Sequence, residues 1–112
     1  MTDVRAEVAR LYEQHGKMPY PKGQRGMEIE GVELILVDVH AAGCASSWLA
    51  KGDDLNEHAR WMAPLCLDEL RKVVPVFADP QSGHYRPYAA HYWGRLLRMM
   101  RLISLELAAE VA

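Results

Sequence analysis

From Ala89 to Leu107 the apolar residues Ala89, Tyr92, Trp93, Leu96, Met99, Met100, Ile103 and Leu107 recur three and four positions apart. That spacing lines one face of an α-helix. A helix of this length is stable in water only when its stripe is covered, so the rest of the chain must supply a matching surface. Arg95, Arg98 and Arg101 fall on the opposite side. Beyond Arg101 the pattern changes. Leu102, Leu105 and Ala109 occupy the face that the arginines held, and the helix becomes apolar nearly all round. Such a helix is expected to be buried. Two coverings satisfy it: the first helix or hairpin of the same chain, or a second chain docked on Leu102, Leu105 and Ala109. A two-fold pair is the commonest soluble oligomer, and a homodimer through this helix is the expectation.

The surface that covers the stripe comes from the preceding segment. Leu55, Ala59, Met62, Cys66, Leu70 and Val73 form a second stripe, with Glu57, Arg60, Asp68 and Arg71 opposite. The spacing predicts a helix capped by Asp53 or Asp54 and running to about Val74. Pro64 lies on its solvent side and bends it. Pro75 is expected to stop it. Asp79-Pro80 and Ser82-Gly83 then make a turn, and Pro87 suits the first turn of the last helix. The two helices should pack as a long antiparallel hairpin.

The first half is less regular. Thr2 can cap a helix whose face is Val4, Val8, Leu11 and Tyr12, with Asp3 in its first turn and Gly16 at its end. Lys17 to Gly26, with Pro19, Pro21, Gly23 and Gly26, reads as a basic, solvated connector. Met27 to Glu30 alternates apolar and acidic residues, and Val32 to Val37 continues as a second strand after a turn at Glu30-Gly31. Asp38 ends that strand and caps a small-residue helix from His40 to Lys51, stopped by Gly52. A third strand at Ala45–Leu49 is the competing assignment.

These elements give an α+β, mostly α fold: a helix, one β-hairpin, then three helices. At 112 residues it forms a single domain, 1–112. Half the residues are apolar, a quarter are charged and the net charge is -2. That balance lacks the basic footprint of a nucleic-acid-binding domain. The apolar run Val32–Val39 is broken by Glu33 and Asp38 and falls far short of the roughly 20 residues a membrane helix needs. Met1 to Gln14 carries no signal-peptide core. Two cysteines, Cys44 and Cys66, are too few for a disulfide framework, which points to a reduced, cytoplasmic protein. Nine arginines against four lysines, with a single asparagine, suggest a GC-rich bacterial genome.

Residues able to carry chemistry are scattered. His40 and Cys44 stand four apart, on one helical face, and His84, His91 and His58 could join them after folding. Zinc needs three or four ligands, and no second close pair exists, so no metal or other cofactor is assigned. Asp38, His40 and Cys44 also evoke a base-activated thiol, but a cysteine among alanines behaves as a small core residue. His84, Tyr85, Tyr88, His91, Tyr92 and Trp93 are aromatics with polar tips, suited to a pocket or a half-buried surface. Arg86, Arg95, Arg98 and Arg101 could meet phosphates, yet the net charge makes nucleic acid the last of the options. Phosphate-loop, dinucleotide, zinc-protease and serine-elbow motifs are all missing.

The stretch Gly31-Val-Glu-Leu-Ile-Leu-Val-Asp38, then Gly43-Cys-Ala-Ser-Ser-Trp-Leu49, then two long helices, is similar to a group of small uncharacterised proteins of GC-rich bacteria. The similarity spans about Met27 to Leu107. It implies no activity, substrate or cofactor. The expected role is a non-enzymatic interaction or assembly module, homodimeric and open to a protein partner. The alternative is a small enzyme or ligand-binding protein built around His40, Cys44, His84 and His91.

Overall fold

A computed structural model describes residues 3–50 and 53–110. In chain order they form helix α1 (Val4–Lys17), strands β1 (Glu28–Ile29) and β2 (Val32–Glu33), and helices α2 (Leu34–Leu49), α3 (Asp53–Ala78) and α4 (Pro87–Glu110). The Thr2 cap and the Lys51–Gly52 stop lie outside the described residues, as do the side chains of Asp53, Asp54 and Leu55.

The α3–α4 hairpin is the frame. Ala59, Ala63, Cys66, Leu70, Val73 and Phe77 of α3 are buried, and so is every residue of the predicted α4 stripe. Helices α1 and α2 lie across this pair, so the core sits where the four helices meet. Pro64 is exposed on α3, as its place in the pattern requires. Pro75 does not end that helix, which runs to Ala78. A proline inside a helix costs about 3 kcal/mol, but burial of Phe77 just beyond it returns about 1.5–3 kcal/mol. The Phe77 carbonyl also accepts the Arg86 N–H at 2.9 Å. Tertiary packing therefore carries the helix past its breaker, whose ring points to the exposed side.

The hairpin turns at Glu30-Gly31, with φ of 53° and 79°. Two consecutive positive values are the two-residue turn that suits the twist of paired strands. Ile29 pairs with Val32 and Glu28 with Glu33, so the buried and exposed pairs each share a face. Ile29 and Val32 lean on α3.

The second strand ends at Glu33, against the sequence expectation. Leu34 to Val37 is the first turn of α2, and Asp38 lies inside that helix rather than capping a later one. Leu34, Val37, Ala41, Cys44, Ala45 and Trp48 are all buried, and their spacing is helical throughout. As a strand, Leu34–Val37 would have kept an unpaired edge and split its apolar residues between two faces. As a helix it sends Leu34 and Val37 into one core. The Leu34 N–H donates to the Met27 carbonyl at 3.1 Å, so the hairpin supplies a partner that Glu33, which makes no side-chain cap, does not. No strand forms at Ala45–Leu49.

Helix α1 is capped by Asp3, whose carboxylate accepts the Ala6 N–H at 3.2 Å. It passes through Gly16, which does not take a positive φ, and ends at Lys17.

Three helices are tied by one side chain. The Asp38 carboxylate of α2 accepts from His15 Nε2 of α1 at 2.8 Å and from the Tyr92 hydroxyl of α4 at 2.6 Å. Replacing Asp38 with alanine leaves two buried donors without an acceptor, each costing about 1–3 kcal/mol, against a helix-propensity gain of roughly 0.5 kcal/mol. Urea unfolding should show Asp38→Ala destabilised by about 2–4 kcal/mol. A loss below about 0.5 kcal/mol, the range of ordinary surface changes, would mean the carboxylate holds nothing together.

Candidate functional site

The polar interior starts at Asp38. The His15 ring lies 4.7 Å from the Tyr92 ring, so both donors converge on one carboxylate from neighbouring helices. Burial, then the hydrogen bond to Asp38 and its charge, push the Tyr92 phenol well above the ordinary tyrosine range. His15 Nδ1 is buried with no hydrogen-bond partner among the described residues. No local pattern marks this cluster, because His15 and Tyr92 stand 23 and 54 positions from Asp38.

The segment between α1 and β1, expected to be a solvated connector, is fastened down. Gln24 is 1% exposed, and its Oε1 accepts the Trp93 Nε1–H at 2.8 Å. The Tyr20 hydroxyl donates to the Gln24 carbonyl at 3.0 Å, and the Tyr88 hydroxyl to the Pro19 carbonyl at 2.5 Å. Arg86 donates to the Lys22 carbonyl. Tyr20 meets Tyr92 and Trp93 edge-on, each at 5.9 Å between ring centres. Three of the aromatics grouped in the sequence, Tyr88, Tyr92 and Trp93, thus serve as a clasp for this loop.

A cleft of about 420 Å³ opens between α1 and α4. Leu11, Ala90 and Gly94 line it with Arg10, Gln14, His91, Arg95 and Arg98. Arg10 grips Glu7 with two bonds, at 2.6 and 3.1 Å, and Arg98 reaches the same carboxylate at 3.2 Å. The Arg10 hydrogen bond holds the Glu7 carboxyl below its ordinary range, with burial opposing and Arg98 assisting. Arg95 donates to His91 Nε2 at 2.9 Å and contacts the Met18 sulfur. Arg101, grouped with these arginines by spacing, does not line the cleft.

The candidates read from the sequence are not brought together. His40 is exposed on α2, His84 is exposed in the α3–α4 turn, and His58 is exposed on α3. His91 faces a cleft between α1 and α4, while His84 lines a separate one of about 270 Å³ with Gln24, Phe77 and Arg86. Cys44 is fully buried, apart from Asp38, which is engaged by His15 and Tyr92. Among the described residues no group of three or more His, Cys, Asp or Glu is placed to hold a metal ion. No helix there is long and apolar enough to cross a membrane. Of the expected contact residues on α4, Leu102 packs partly on the core of its own chain, while Leu105 is 63% exposed and Ala109 is exposed.

Compared with known proteins, the chain matches no family model, no curated protein and no solved structure.

Burial pushes the Cys44 thiol up to about 11 and the Cys66 thiol up to about 12, the latter aided by Cys44 and Glu69. Desolvation disfavours the thiolate, which is the reactive form. Both cysteines should therefore label with a disulfide reagent at neutral pH at least about a hundredfold more slowly than in urea. Labelling of Cys44 at the unfolded rate would restore it as a nucleophile. The same shifts set a pH window. Thiols that ionise near 9 when unfolded but near 11 or 12 when folded keep their contribution below pH 9 and lose it as pH rises through 11. Thermal unfolding should show stability falling across that interval, and a flat profile would contradict it.

Proposed function

We propose that this protein is a non-enzymatic interaction module that assembles as a homodimer through the outer face of α2. The observation that carries this is the charge of that helix. Asp38 is the only Asp, Glu, Lys or Arg between Leu34 and Leu49, and it is turned inward to His15 and Tyr92. The outward face is left with Ile35, Leu36 and Val39, the last 61% exposed, beside His40, Gly43 and Ser46. Surface helices normally carry charges on their solvent side.

A second copy is the partner best matched to such a face. Two neutral, identical surfaces meet without the like-charge repulsion that the rest of a net-negative chain would bring. Gly43 adds to the case. A glycine inside a helix costs about 1 kcal/mol relative to alanine, yet a Cβ here would meet nothing within 4 Å in its own chain. Its use makes sense where another backbone comes close. Helix α3, packed beside α2, exposes Trp61 and Leu65 as further apolar surface. Two buried, free thiols suit a reducing, cytoplasmic setting.

Exposed Leu105 on α4 offers an alternative seam, and the two separate by mutation. Light scattering after gel filtration should give twice the 12.7 kDa chain mass for the wild type. Val39→Glu should give the single-chain mass with unchanged circular dichroism, and Leu105→Glu should remain paired. Dissociation by Leu105→Glu alone would move the seam to α4. A wild type that runs as one chain at all concentrations would end the proposal.

A further inference from the structure

We propose that the α1–α4 cleft is a binding site for the phosphate group of a small phosphorylated molecule, with Arg95 as its principal contact. The site is independent of the α2 seam.

Three guanidinium groups, Arg10, Arg95 and Arg98, line the cleft, and one carboxylate, Glu7, pairs with Arg10 and Arg98 alone, which leaves a local excess of positive charge on a chain whose net charge is -2. Glu7 does not neutralise them evenly. Both of its oxygens are taken by Arg10, and Arg98 shares one of them. This fixes two guanidinium groups at the rim before any ligand arrives. Arg95 has no carboxylate partner among the described residues. It donates only to His91 Nε2 and the Met18 sulfur, and so keeps most of its five N–H donors available. A half-buried arginine without a counter-ion suits an incoming oxyanion, which its planar fork can bind through two parallel hydrogen bonds. A doubly charged phosphate matches this surplus of cations better than a single carboxylate does.

The shape of the cleft points the same way. Gly94 sits in the interior of α4, where glycine costs about 1 kcal/mol against alanine. A Cβ at that position would meet nothing within 4 Å and would project into the open space. Packing within the chain gives no reason for the glycine; an occupant seated against the helix does. About 420 Å³ is the scale of a small-molecule site. Nucleic acid fits less well. A strand needs an extended track of cations, but Arg101 is outside the cleft and Arg86 is spent on the Lys22 carbonyl.

Titration calorimetry on the full chain tests this, with inorganic phosphate and glycerol 3-phosphate as probes at constant ionic strength. The expected result is saturable binding at one site per chain, tighter for glycerol 3-phosphate. Arg95→Met should weaken it at least tenfold. Gly94→Leu should do the same by filling the cleft without changing charge. Arg101→Met should leave it within twofold. Thermal melts of the free variants establish that each is folded. The proposal is overturned if neither probe saturates at millimolar concentration, or if folded Arg95→Met and Gly94→Leu bind as the wild type does. It is equally overturned if Arg101→Met weakens binding as much as Arg95→Met, or if a DNA duplex competes more strongly than the phosphomonoester.

Discussion

Burying a carboxylate costs several kcal/mol unless its oxygens find donors, and Asp38 finds them on two other helices. His15 of α1 and the Tyr92 hydroxyl of α4 occupy one oxygen each, so the position of α2 is fixed relative to both neighbours. The apolar stripes of these helices supply most of the driving force, but stripes of leucine, valine and alanine tolerate sliding. A pair of directed hydrogen bonds to one carboxylate does not. Removing any one member exposes the others to the cost of an unmet buried polar group. The interaction therefore selects one arrangement of α1, α2 and α4 from the several that hydrophobic contact alone would allow.

The same contact shapes the surface. By turning inward, Asp38 removes the one ionised group that α2 offers to solvent. What remains outside is Ile35, Leu36, Val39 and a glycine that the chain's own packing does not require. Three arginines of α1 and α4 collect elsewhere, around the cleft that Arg10, Arg95 and Arg98 border. The molecule thus separates a neutral helical face from a cationic groove. The clasped loop sits between β1 and the aromatics of α4 and contributes chiefly to rigidity, since its glutamine and tyrosine are engaged inside the protein.

Much of the frame was legible in the residue pattern. The α4 stripe from Ala89 to Leu107, the α3 stripe from Ala59 to Val73 and the turn at Glu30-Gly31 all stand where spacing and turn chemistry place them. The misreadings share a cause. Leu34 to Val37 is apolar at every position, so local periodicity could not separate strand from helix, and only the later positions Ala41, Cys44 and Trp48 settle the matter. Pro75 carries a strong local signal that the burial of Phe77 overrides. Gln24 looked like a loop residue between glycines, because its partner, the Trp93 indole, is distant in sequence. Asp38 was hidden for the same reason. The expected burial of the end of α4 holds for Leu102 in part but not for Leu105 within one chain. Spacing puts Arg95 and Arg98 on one face of α4, but Arg10 joins them only in the fold, since α1 and α4 lie at opposite ends of the chain.

The proposed pairing sets the neutral face of α2 against its own copy across a two-fold axis. It is tested most directly by a distance between identical sites. Ser46→Cys, exposed at the edge of that face, can carry a nitroxide label while the buried Cys44 and Cys66 stay unreacted. Paired helices in contact lie about 8–10 Å apart, so pulsed dipolar spectroscopy should give one narrow separation below about 30 Å once label length is added. A featureless background decay, from a sample whose cysteine is fully labelled, would show that two copies of α2 do not face each other.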